Sequence, residues 1–245
     1  MAARADRARH LRDLIPCSSV TIQSTEDVRW SELQACYHVL ATRFPVSLRK
    51  VIVRIRHLSD DRENLPVALV QLVSPLHKLQ QLEVFCISID ANPGANQQAI
   101  TTPTTEEVAA LVSSWPQVRV LRIRYQPGCT PGCSIDTLAT IAKHCPGLET
   151  LHLRPLNIEG AARCDVSSLP ALDHKLRSLS LAGSDPEELC GELGHAAEAL
   201  DKLFPHADLH VYMPPSASPG TSPSYAEGWL RFGEYVMQVS ITKTR

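Results

Sequence analysis

The chain has 245 residues, 44% of them hydrophobic and 20% charged, with a formal net charge of -2. This is the balance of a globular protein of one elongated or two compact domains, without the overall basicity that draws a protein to nucleic acid or anionic lipid. No run approaches the roughly 18 consecutive apolar residues needed to span a bilayer, so no membrane partner is expected.

The first 16 residues, MAARADRARHLRDLIP, are rich in Arg and Ala and carry only Asp6 and Asp13 as acids. They are read as a first helix that leads into a strand at Val20 to Ile22, with a presequence as the alternative. Eight cysteines stand at positions 17, 36, 86, 129, 133, 145, 164 and 190, most of them inside apolar periodic segments. Free buried cysteine behaves as a small hydrophobe, so the pattern suits a reducing compartment, cytoplasmic or nuclear, better than a disulfide framework.

From Trp30 to Arg43 the residues Trp30, Leu33, Tyr37, Leu40 and Ala41 form a helical stripe. Phe44-Pro45 then turns the chain into LRKVIVRI, a strand with Leu48, Val51 and Val53 on one face. The polar run SDDRENLP reads as a loop, and Val67 to Leu79 as a helical or partly irregular limb. In LEVFCISI two registers compete, and the preferred one buries Phe85, Ile87 and Ile89 together, since a slip of one residue reverses the faces. Asp90 to Thr104 is a long connection. Thr105 can cap a helix carrying Val108, Leu111 and Val112, which ends at the corner Trp115-Pro116 before a strand with Val118, Leu121 and Ile123.

Ser134 to Arg154 shows the underlying unit most clearly. Ile135, Leu138, Ile141 and Ala142 recur at helical spacing, Cys145-Pro146 makes a corner, and Leu148, Leu151 and Leu153 stand in the L-x-x-L-x-L spacing of a leucine-rich repeat. Such a unit cannot bury its apolar face alone and must stack on copies of itself. The pattern returns at Leu176, Leu179 and Leu181. A helix from Pro186 to Leu203, the corner Phe204-Pro205 and a strand at Leu209 to Tyr212 complete the series.

One core-facing position per unit gives Val20, Val51, Phe85, Leu121, Leu151, Leu179 and Leu209. They are about 30 residues apart, longer than the usual repeat of about 20 to 29 because full helices replace short turns. The expected fold is therefore α/β, a leucine-rich-repeat solenoid over 1–213 with about seven parallel strands on a concave face and helices on the convex face. A doubly wound sheet is the alternative, although no Gly-rich phosphate loop follows any strand. Residues 214–224, PPSASPGTSPS, read as a flexible linker. In 225–245, Tyr225, Trp229, Phe232, Val236 and Val239 share one helical face, expected to cap the last repeat.

The segment H-C-P-G-L-E-T-L-H-L, the corners Phe44-Pro45, Trp115-Pro116 and Phe204-Pro205, and A-L-V-S-S-W-P-Q-V-R-V-L-R-I resemble the cysteine-containing leucine-rich repeats of F-box proteins, more narrowly those of mushroom-forming fungi. The resemblance covers roughly residues 15 to 212. It implies repeats that present a protein substrate; in that family an amino-terminal F-box docks onto a cullin-RING ubiquitin ligase. No L-P-x-E-I-L type segment is found here, so the repeat fold is expected to carry over and the ligase adaptor contact is not.

In a repeat sheet every second strand residue points away from the core. Those positions are Ile52, Arg54, Arg56, Arg122, Arg124, His152, Arg154, His210 and Tyr212, a basic stripe on a slightly acidic chain. Guanidinium groups hold carboxylate or phosphate through paired hydrogen bonds. Arg54, Arg56, Arg122, Arg124, His152 and Arg154 are therefore the expected contacts for an acidic or phosphorylated protein partner. The plainer reading is that they keep an exposed sheet face soluble.

No metal or cofactor is expected. Cys129, Cys133, Cys145 and His144 could suggest zinc, but Cys145 stands where Trp115 and Phe204 stand in other units and so belongs to the core. Nor is enzymatic activity expected. Ser180 and Ser184 lack a G-x-S-x-G context, no H-E-x-x-H occurs, and Asp60-Asp61 and Glu187-Glu188 suit a loop and a helix start.

Overall fold

The computed structural model describes residues 17–59, 67–89, 100–101, 104–125, 134–156, 169, 174–183 and 193–211. The helix expected over 1–16, the linker 214–224, the capping helix in 225–245, Tyr212 and four of the cysteines (129, 133, 164 and 190) lie outside them.

Seven strands form one sheet, joined in the order β1 (Ser19–Arg29), β2 (Lys50–Ser59), β4 (Val84–Ile89), β6 (Val120–Tyr125), β7 (Thr150–Leu156), β8 (Ser178–Gly183) and β9 (Asp208–Val211). Every neighbouring pair is parallel. A separate two-stranded parallel sheet pairs β3 (Val67–Ala68) with β5 (Ile100–Thr101). Helices α1 (Trp30–Arg43), α2 (Leu69–Val73), α3 (Thr105–Ser113), α4 (Ile135–His144) and α5 (Leu193–Leu203) fall between strands, with a 3-10 turn at Ser74–Lys78. The protein is α/β, and its sheet does not close into a barrel. Strand order follows chain order throughout, so the reversal that defines a doubly wound sheet does not occur.

The seven positions expected to face the core lie in one line across the sheet. Val20 pairs with Val51, Val51 with Phe85, Phe85 with Leu121, Leu121 with Leu151, Leu151 with Leu179, and Leu179 with Leu209. A second core line lies two residues further on, through Val53, Ile87, Ile123 and Leu153. Strand β4 takes the preferred register: Phe85, Ile87 and Ile89 are buried and the residues between them are not fully so.

Against these lines pack the helix residues Leu33, Tyr37 and Leu40, Val108, Leu111 and Val112, Leu138, Ile141 and Ala142, and Ala196, Leu200 and Leu203. The helices contact one another in chain order as the strands do. Parallel strands need a crossover to return to the same edge, and each helix supplies one while burying its apolar stripe on the sheet.

The corners stop the helices and aim the strands. At Cys145-Pro146 the proline ring cannot extend the helix, and the Cys145 carbonyl accepts the Leu148 amide at 3.0 Å. The same turn recurs from Trp115 to Val118 at 3.1 Å, from Phe204 to Ala207 at 3.1 Å, and, without proline, from Leu79 to Leu82 at 3.0 Å. The corner side chains also reach back. Trp115 Nε1 donates to the Leu76 carbonyl at 3.0 Å, and the Cys145 thiol points at the Val112 carbonyl at 3.9 Å. These two corners thus tie their units to the one before, through helix-end carbonyls that also accept the amides of Leu79 and Trp115.

Three local expectations change. Helix α3 is capped by Thr104, not Thr105: the Thr104 hydroxyl accepts the Glu107 amide at 3.2 Å, and Glu107 returns a bond to the Thr104 amide at 2.8 Å. Strand β1 continues past Ile22 to Arg29 because β2 is long enough to pair with it, with a bulge between Ser24 and Asp27. The connection after Asp90 contains strand β5 at its far end.

Candidate binding face

All-parallel sheets usually have both faces covered. Here the face opposite the helices carries charge. Along β2 and β6 burial alternates residue by residue: Val51, Val53, Ile55, Leu121 and Ile123 are buried, whereas Arg54, Arg56, Arg122 and Arg124 are exposed. The stripe expected from alternation is therefore present on these two strands.

Strand register sorts it into two lines. The first passes through Thr21, Ile52, Cys86, Arg122, His152, Ser180 and His210. The second passes through Gln23, Arg54, Ser88, Arg124 and Arg154. Arg122 thus faces His152 across one strand gap of about 4.8 Å, and Arg124 faces Arg154 likewise. Arg56 stands beyond the end of β4, opposite the bulge in β1, and joins neither line. His152 is half-buried. The backbones of Arg154 and His210 fix their places, and their side chains lie outside the described residues.

Among the described residues, Arg54, Arg56 and Arg122 form no ion pair with a carboxylate. Contrast the rim where the strands begin. There the residues two positions before each core residue are Ser18, Arg49, Glu83, Arg119, Glu149, Arg177 and Ala207, a line of alternating charge. Backbone bonds lock it: the Glu83 amide donates to the Arg49 carbonyl at 2.7 Å, Arg119 to Glu83 at 2.7 Å, Glu149 to Arg119 at 2.8 Å, and Arg177 to Glu149 at 2.9 Å. Arg49 pairs with Glu83, and Arg119 holds Glu149 through Nη2 at 2.6 Å and Nε at 3.0 Å. A polar recess opens at this rim, bordered by Glu83, Arg119, Glu149 and Lys175. The constant offset of two residues from each core position was the sequence signal for this ladder.

On the rim Arg49 and Arg119 are paired with carboxylates, whereas on the outward face, among the described residues, Arg54, Arg56 and Arg122 are not. Cys86, in the middle of that face, shows the difference. Burial pushes its thiol upward, while Arg122, Lys50 and Arg54 all pull it down, so three cations act on one outward position of β4. Alternation of charged with apolar residues marks the arginines in the sequence, whereas the small residues Cys86 and Ser88 between them carry no such mark.

Of the zinc alternative, Cys129 and Cys133 lie outside the described residues. Cys145 is fully buried in the core, and His144 Nδ1 lies 3.0 Å from the Ser113 hydroxyl. Among the described residues there is no cluster of three metal-ligating side chains. Likewise no described helix is long and apolar enough to cross a membrane. Comparison with known proteins finds no matching family model and no matching curated sequence.

Proposed function

We propose that this chain is a protein-recognition module built as a leucine-rich-repeat solenoid, resembling the substrate-binding repeats of F-box proteins, and that it takes an acidic or phosphorylated partner on its outward sheet face. The observation that carries the reading is the alignment of Arg54, Arg124 and Arg154 in one cross-strand line and of Arg122 and His152 in the next. A parallel sheet whose strands follow chain order, one per 28 to 36 residues, supports the repeat architecture. Arg54, Arg56 and Arg122, exposed and among the described residues without a carboxylate partner, support the anionic partner on a chain of net charge -2. The proposal extends to the repeats alone and not to contact with a ubiquitin ligase.

The test is fluorescence anisotropy with a labelled glutamate-rich peptide. Binding should weaken as salt rises, and Arg54→Gln together with Arg122→Gln should reduce affinity by about tenfold or more, the size expected for lost charge-assisted bonds. Arg177→Gln, on the rim, should leave it unchanged. Equal loss in the rim variant, or none in the double variant, would remove the face from consideration.

A further inference from the structure

Strand β4 is a gap in the basic face. Its outward residues, Cys86 and Ser88, are short, whereas both flanking strands carry long cations. In register, Ser88 lies between Arg54 on β2 and Arg124 on β6, and Cys86 lies between Ile52 and Arg122. The flanking strands are two spacings apart, about 9.6 Å from backbone to backbone, and the short side chains of β4 leave a slot between the longer ones. Arg54 and Arg122 stand diagonally across it, both exposed.

A peptide carboxylate is planar and singly charged and can satisfy one guanidinium fork. A phosphate monoester carries about -1.5 to -2 charge and three acceptor oxygens, enough for a fork from each wall. We propose that the slot over Cys86 and Ser88 is a phosphate-monoester subsite, in which a phosphorylated side chain of the protein partner is held by Arg54 from β2 and by Arg122 from β6. This rests on the proposed function and narrows it. Lys50, at the start of β2, adds to the positive field over the slot, as its effect on the Cys86 thiol indicates.

Cys86 at the floor is a built-in reporter. The experiment measures its alkylation by N-ethylmaleimide in the full chain, located by peptide mapping, with inorganic phosphate or poly-glutamate added at matched ionic strength. The exposed Cys36 on α1 is the internal control. Phosphate should slow alkylation of Cys86 saturably and leave Cys36 unchanged. Arg54→Gln and Arg122→Gln should each weaken that protection by about tenfold, and Arg177→Gln should not.

Protection by poly-glutamate but not by phosphate would overturn the subsite and leave the acidic-partner reading standing. Protection by phosphate that survives both substitutions would also overturn it. Protection by neither probe, with poly-glutamate failing to bind by anisotropy, would remove both proposals.

Discussion

His174 Nε2 lies 2.9 Å from the carbonyl oxygen of Cys145, 29 residues earlier in the chain. The other ring nitrogen, Nδ1, accepts the Leu176 amide at 3.0 Å. Leu176 precedes β8 as Leu148 precedes β7, so the imidazole takes the place held elsewhere by a corner carbonyl. Because the Leu176 N–H must donate, Nδ1 is unprotonated and the proton sits on Nε2, which donates to Cys145. The ring also meets Phe204 edge-on, with centroids 5.4 Å apart. One buried, neutral histidine therefore joins three successive units.

That arrangement sets a pH dependence. Burial lowers the His174 pKa below its ordinary value of 6.5, and the Cys145 carbonyl opposes this only in part. A group whose folded pKa is depressed binds more protons when unfolded, so its contribution is complete above about pH 6.5 and is lost as pH falls below that value. The urea midpoint should drop on acidification. His77, also lowered by burial, acts in the same direction. His174→Phe should keep the contact with Phe204, lower stability near neutral pH by about 1–3 kcal/mol through the buried Leu176 amide left without its acceptor, and flatten the acid limb.

Trp115 makes the corresponding tie without titrating. Its indole donates to Leu76 and packs against Phe85, with centroids 4.9 Å apart. Trp115→Phe should cost about 1–3 kcal/mol and Trp115→Ala about 3–5 kcal/mol in chemical denaturation, the difference being packing. Equal costs would mean that the ring's packing adds nothing beyond the hydrogen bond.

Tyr37 predicts a gain. It is fully buried in α1, and among the described residues its hydroxyl has no hydrogen-bond partner. Burial keeps the phenol well above its ordinary titration range. Tyr37→Phe should leave the melting temperature unchanged or raise it, because it removes a buried hydroxyl that costs about 1–3 kcal/mol. A clear fall would show that the hydroxyl has a partner.

The fold was legible where apolar residues outnumber the alternatives and illegible where pairing alone decides. Val51, Phe85, Leu121 and Leu151 could be read because each begins an alternation that survives one-sided burial. Gln23 to Arg29 carry no such alternation, and only the length of β2 makes them a strand. The Thr104–Glu107 capping box was visible as T-x-x-E, yet the neighbouring Thr105 was an equally plausible cap by residue type. For the candidate binding face, alternation named Arg54, Arg122 and Arg124. Register between strands, which no single segment encodes, was needed to see that Cys86 and Ser88 lie between them.

The rim ladder makes a prediction of sign. Exposed pairs contribute little singly, so Glu149→Gln should lower the melting temperature only slightly. Glu149→Arg places a third cation between Arg119 and Arg177 and should lower it further, by an amount that shrinks as salt is added. An effect independent of salt would show packing to be responsible.

The most direct test of the account is a chemical-shift titration of the isotope-labelled chain with a phosphoserine-containing acidic peptide. Perturbations should concentrate at Ile52, Arg54, Cys86, Ser88, Arg122 and Arg124, leaving α1, α3 and α4 unmoved. Perturbations confined to the helices, or to the rim at Arg119 and Glu149, would contradict it.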